Sequence, residues 1–428
     1  MNTAFTAGAF TAGVFTYLFL AALAATVGTR LWLAARQSRH VRAHRDAVPE
    51  SFSGTIPLAA HQKAADYTVV KTQVAMLDVC VSAALTLALT FGGALQWLSD
   101  AWSDVTQTGG IAHGVALIVS VVLLLSLLEL PLTVYRTFVV EARFGFNRMT
   151  PKLFLIDLAK QTLISAALGI PLLTLVLWLM AKMGGLWWAW VWLAWTSFNL
   201  LVLLIYPTFI APLFNKFSPL ADRALAERIE SLLTRCGFRS SGLYVMDGSK
   251  RSSHGNAYFT GFGAAKRIVF FDTLLSRLAP GEIEAVLAHE LGHFKRHHVW
   301  KRIVVLFAAS FALLWLLGQL IDQPWFYNGL NVTTQSTATA LLLFVLVTPV
   351  FTFFLQPLSS LHSRKHEFEA DQYAASHASA TELVQALVKL YQDNASTLTP
   401  DPLYSAIYDS HPPAAIRIAH LRQLGAPA

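Results

Sequence analysis

The chain has 428 residues, of which 55% are hydrophobic and only 13% charged, with 12 Trp and 28 Phe; that charged fraction is well below the usage of an ordinary soluble domain. This composition excludes a soluble enzyme. The net charge of +7 sits in loops between apolar runs, where membrane topology accounts for it, so nucleic-acid binding is an unnecessary reading.

Seven runs are long and apolar enough to cross a hydrocarbon core of ~30 Å, which takes about 20 helical residues. In chain order they cover residues 14–35, 73–97, 112–135, 161–181, 186–206, 303–321 and 338–356. A basic loop (Arg36, Arg39, Arg42, Arg45) follows the first run and Arg30 near its end can snorkel, so it reads as a retained anchor and not a cleaved signal peptide. Cys80 and Cys236 suggest no disulfide framework and no metal site. The expected organisation is a membrane part at 1–210, two non-membrane parts at 211–302 and 357–428, and spans six and seven between them at 303–356.

Lys and Arg fix the orientation. The loops after spans one, three, five and seven carry them, whereas residues 98–110 and 322–337 carry none; Lys182 is the one exception. By the positive-inside rule the N-terminus lies outside, and both sizeable polar regions face the cytoplasm.

The first of those regions contains AVLAHELGHFKRHH, residues 285–298. Ala279-Pro280-Gly281 followed by Glu282 and Glu284 reads as a helix start, and the helix is expected to run over 280–298. His289 and His293 are four apart, so both imidazoles leave one face and can share a metal ion. Glu290 sits where it can reach a metal-bound water. The pattern is H-E-x-x-H, with small Gly292 where a bulky residue could block close approach. A zinc site that does chemistry needs three protein ligands and one open position. His297 lies ~12 Å along the axis from His289 at 1.5 Å per residue, too far to share one ion. His297 and His298 are therefore expected as polar residues at the membrane surface.

The densest source of a third ligand is HSRKHEFEADQYA, residues 362–374. Glu367 and Asp371 share one helical face there, and Glu369 points away by about 200°. One carboxylate could bind zinc while the other orients a ligand histidine. A solvated helix face held by pairs such as Lys365 with Glu369 explains the spacing equally well.

HELGH at 289–293, SRKHEFEADQYA at 363–374 and SHPPAAIR at 410–417, with VEARFGFNRMTP at 140–151 and DGSKRSSHGNAYFTGFGAAKRIVFFDTLL at 247–275, together resemble the type I CAAX prenyl proteases. These are integral membrane zinc metalloproteases related to the HtpX-like quality-control proteases. The resemblance implies zinc ligands His289, His293 and Glu367, catalytic Glu290, and Asp371 as the carboxylate behind a ligand; Glu369 is not carried over. It implies an all-α membrane fold, seven helices forming a barrel-like chamber whose cytoplasmic end is closed by the zinc domain.

Asn256, Ala257 and Tyr258 lead through Gly261 and Gly263 to a β-like run at 267–271, a hairpin whose edge can receive an extended peptide. His411 and Arg417 are candidates for stabilising the oxyanion, although HPP also reads as a turn before the last helix. The resemblance favours His411 at the site.

The implied substrates are lipidated CAAX proteins, or other membrane-associated chains in a quality-control protease, with membrane lipids as surroundings and no nucleic acid or obligate protein partner evident. The terminal GAPA, lacking an ER-retrieval signal, suits a bacterial inner membrane. A site-2-type protease would place the motif within a span. A zinc transporter would need ionisable residues along several spans, of which Asp78 and Glu129 are the clearest. A non-catalytic scaffold would have no need of Glu290.

Overall fold

The computed structural model describes residues 11–260 and 267–425. Seven helices in it are long and apolar enough to span a membrane: Ala12–Ala43, Leu58–Leu89, Ile111–Glu141, Pro151–Lys182, Gly184–Phe214, His298–Leu320 and Thr337–His377. Their number is the one expected, but their bounds are wider. The first, second and fourth have 32 residues each, about 48 Å at 1.5 Å per residue, so they project well beyond the apolar layer. The second ends at Leu89 and not at residue 97, because Gly93 adopts φ 73° and Ala94–Ser103 forms a separate helix. Only glycine takes that left-handed conformation at no steric cost. The seventh continues through a 3₁₀ turn at Phe353–Leu355 into Gln356–His377, here called the acid helix.

Buried side chains such as Phe19, Leu117, Leu177 and Leu343 hold the spans together. Between the third and fourth spans lies a cavity of about 870 Å³ whose lining includes Ser126, Glu129, Asp157 and Gln161. Glu129 also lines a cavity of about 310 Å³ with Arg30, Thr26 and Ser82. Asp78 is 3.3 Å from Arg136. Both intramembrane acids thus have polar surroundings, as their cost in hydrocarbon requires.

The polar regions form one module with its own core. Ile229, Leu232, Ile268, Phe270, Leu287 and Leu421 are buried together in it. The expected hairpin is part of a larger sheet: β1 (Phe217–Pro219), β2 (Leu243–Met246), β3 (Ala257–Thr260) and β4 (Arg267–Phe271) in the order β1-β2-β4-β3. β3 and β4 pair antiparallel as anticipated, whereas β2 runs parallel to β4. Gly261 and Gly263, expected in the hairpin turn, lie outside the described residues.

Polar ties join the module to the span ends. Arg36 reaches Asp401 at 2.8 Å, and Arg251 grips Asp157 through two bonds of 2.8 and 2.9 Å. Tyr67 donates to Glu141 at 2.5 Å, and His254 lies 3.6 Å from the other oxygen of that carboxylate. The module therefore sits at the face where spans one and three end and spans two and four begin.

Candidate active site

The helix Pro280–Lys295, here the motif helix, starts with Pro at its first position. The Glu282 carboxylate accepts from the backbone N–H of Ala279 at 2.7 Å and meets Lys389 at 2.6 Å, which satisfies one orphan donor of the helix start. The motif helix crosses the acid helix at Gly292, where a Cβ would lie 2.9 Å from Ala370 Cα and 3.0 Å from Tyr373 Cβ. Hydrogen alone at position 292 and a methyl at 370 let the backbones approach that closely. This contact brings one helix's histidines to the other's carboxylates.

His289 Nε2 and His293 Nε2 are 3.2 Å apart, and the Glu367 oxygens lie 3.5 and 3.4 Å from them respectively. Two ligand atoms each ~2.05 Å from a tetrahedral ion are separated by about 3.3 Å, so the three side chains fit a metal. Glu367 Oε2 is buried without a hydrogen bond; a terminal nitrogen of Arg417 lies 3.4 Å away, so its charge is faced while its lone pairs stay unmet. Behind His289, its Nδ1 lies 2.8 Å from Asp371, which Arg417 holds through bonds of 2.9 and 2.6 Å. Burial alone would push the His289 imidazole down. Asp371 and Glu367 outweigh it and raise the group to about 9.

Glu290 is half-buried next to His289 and, among the described residues, makes no hydrogen bond or ion pair. His411 is exposed, with Nε2 3.4 Å from Glu367 and Nδ1 3.0 Å from Ser410 Oγ. Arg417 is buried, its fork engaged by Asp371 and its remaining terminal nitrogen 3.4 Å from Glu367. It thus stands behind the ligands, and His411 stands at the open side. Ala257 and Tyr258 lie in edge strand β3, with Asn256 just before it; Phe259 of that strand packs on Phe294 of the motif helix at 6.2 Å.

Two expectations need correction. The motif helix stops at Lys295, because His297 takes φ 57° and a new helix starts at His298. His297 is exposed, but His298 is turned inward, 1% exposed, with Nδ1 3.0 Å from His293 Nδ1 and Nε2 2.9 Å from Glu369. Glu369 therefore pairs with His298 and not with Lys365. A continuous helix puts residues five apart about 140° from each other, so spacing carried no signal for this contact.

A cluster of this kind, at the end of a bundle of membrane helices, defines a membrane-embedded metallopeptidase. Residues 37–216 match the model described as CAAX prenyl protease N-terminal, five membrane helices, and residues 219–425 match peptidase family M48. The CAAX prenyl protease 1 homolog of Arabidopsis thaliana is 34% identical over 378 residues, 87% of this chain and 89% of that one. CAAX prenyl protease 1 of Saccharomyces cerevisiae is 38% identical over 69% of each chain. The crystal structure of S. mikatae Ste24p superposes with a TM-score of 0.89 at 31% identity, covering 95% of this chain and 99% of that chain. The chain belongs to the CAAX prenyl protease 1 family of M48 membrane metalloendopeptidases.

Proposed function

We propose that the chain is a zinc endopeptidase that cuts near the C-terminus of prenylated CAAX-type proteins or other membrane-associated chains, with its site on the cytoplasmic side. The observation that carries the reading is the triangle of His289, His293 and Glu367, with edges of 3.2 to 3.5 Å, in the module at the end of the seven spans. Two imidazoles and one carboxylate are the donor set of many hydrolytic zinc sites. When bound, zinc would supply a Lewis acid that polarises the scissile carbonyl and makes water acidic enough to attack near neutral pH.

The chain's own residues supply the rest. Glu290, without a hydrogen-bond partner among the described residues, takes the proton of the attacking water and delivers it to the departing amine. His411, on the open side 3.4 Å from Glu367, donates to the carbonyl oxygen as negative charge gathers there. Asp371 and Arg417 hold His289 in one orientation from behind. The β3 edge receives the substrate as an added strand, with Asn256, Ala257 and Tyr258 alongside the reacting bond. The basic span ends surround the site, and the positive-inside rule makes that side cytoplasmic, in a bacterial inner membrane as in any other.

The test is metal analysis of purified protein together with incubation with a farnesylated CAAX peptide. We expect one zinc per chain and chelator-sensitive cleavage before the last three residues. Stoichiometric metal with no cleavage of that peptide, but cleavage of an unlipidated membrane-protein substrate, would move the specificity to the second class named. Absence of metal binding would sink the whole reading.

A further inference from the structure

We infer that His298 and Glu369 form a two-residue relay that fixes the tautomer and orientation of His293 as a metal ligand. The inference rests on the reading of His293 Nε2 as a ligand atom. A neutral imidazole has one N–H, so binding through Nε2 puts the His293 proton on Nδ1. That nitrogen is 3.0 Å from His298 Nδ1. Two ring nitrogens this close form a hydrogen bond only if one of them carries the proton, so His298 Nδ1 is the acceptor and its own proton sits on Nε2. Nε2 in turn is 2.9 Å from Glu369 Oε2, an acceptor with no proton to return. Each link leaves one assignment for the next, and the chain ends on a carboxylate.

The relay is built, not incidental. His298 is 1% exposed, so water does not offer its ring an alternative partner. Its ring stacks on His366 with centroids 3.9 Å apart and planes 10° from parallel, which fixes its tilt. The turn that aims it inward costs a left-handed conformation at His297, φ 57°, a region that residues with a side chain seldom occupy. The other ligand histidine has the simpler version of the device, its Nδ1 lying 2.8 Å from Asp371 directly. The two metal histidines thus each end on a carboxylate, one directly and one through an imidazole. Both His298 and Glu369 are positioning residues, since neither reaches the reacting atoms.

The experiment measures the zinc dissociation constant of the full-length protein by chelator competition in detergent, for His298→Ala, Glu369→Ala, Glu369→Gln and the double alanine variant. Loss of an outer partner of a metal histidine typically weakens binding about 10–100-fold. We expect that loss for His298→Ala, a loss in the same direction for Glu369→Ala, and recovery toward wild type in Glu369→Gln, whose amide oxygen still accepts. The double variant should be no weaker than His298→Ala, because both changes cut one chain. A merely structural pair would lower the melting temperature of metal-stripped protein while leaving zinc affinity within about twofold of wild type, and that result would overturn the relay. So would additive losses. Should His298→Ala fail to fold, the comparison of Glu369→Ala with Glu369→Gln decides alone, equal affinity in the two refuting the inference. His293→Ala is the control: zinc retained there would show that the ligand reading had failed, and not the relay.

Discussion

Glu290 stands beside a ligand and, among the described residues, has no hydrogen-bond or ion-pair partner, and this separates it from the other carboxylates around the site. Glu367, Asp371 and Glu369 all have histidine or arginine partners. Replacing it should therefore remove chemistry and little else: Glu290→Gln is expected to keep metal and fold and to lose at least ~10²-fold in kcat. His411→Ala should lose less, mostly in kcat and not KM, because its contact strengthens as charge develops. Steady-state kinetics of the two variants on one peptide checks the order, and full activity in Glu290→Gln would refute its role. Protons and metal compete for His289. With that group raised to about 9, metal-stripped protein holds a proton there at neutral pH, and metal uptake must release it. Zinc affinity should then fall as pH falls below that value, by up to ~tenfold per unit for the one proton. A flat pH profile in chelator competition would contradict this. At this scale the His289–His293 pair was legible because helical spacing alone puts the two imidazoles on one face. Glu367 needed the family resemblance to separate it from Asp371. His298 was illegible because its position depends on a break in the backbone, and periodicity assumes there is none.

Two helices make the site, and their separation is set by the smallest side chains on each. A Cβ at position 292 would lie 2.9 Å from Ala370 Cα and 3.0 Å from Tyr373 Cβ, so Gly292→Val must push the motif helix away from the acid helix. The expected cost is about 1–3 kcal/mol of overpacking. The more telling effect is on metal, because a shift of a few tenths of an ångström spreads nitrogens now 3.2 Å apart from oxygens at 3.4 and 3.5 Å. Zinc content should fall more steeply in this variant than the melting temperature of the metal-free protein does; equal zinc content would show that the helices can part without opening the site. The helices themselves were readable from Pro280, the first-turn acids and the apolar period. The β3–β4 pair was readable from its run of β-branched and aromatic residues. β1 and β2 were not, because each pairs with a strand distant in the chain, and no local turn announces such a pairing.

At the scale of the molecule, the seven spans were legible from hydropathy, because it follows from transfer free energies and not from packing. The projection of the spans beyond the bilayer was not, since polar helical extensions carry no hydropathy signal; the acid helix, a continuation of span seven, is the consequential case. The ties from Arg36 to Asp401 and from Arg251 to Asp157 place the peptidase module against one set of span ends. Residues on the module and residues in the uncharged loops must then lie on opposite sides of the membrane. Single cysteines at Lys250 and Thr381, both exposed on the module, and at Asp104 and Gln335, both exposed in the uncharged loops, test this in a variant whose exposed Cys80 has been replaced. In oriented vesicles, a membrane-impermeant maleimide applied from the outer face should label the Asp104→Cys and Gln335→Cys proteins at once. The Lys250→Cys and Thr381→Cys proteins should react only after the membrane is permeabilised. Labelling of all four before permeabilisation would rule out the seven-span arrangement, and the reversed pattern would keep the spans while turning the active site to the other side.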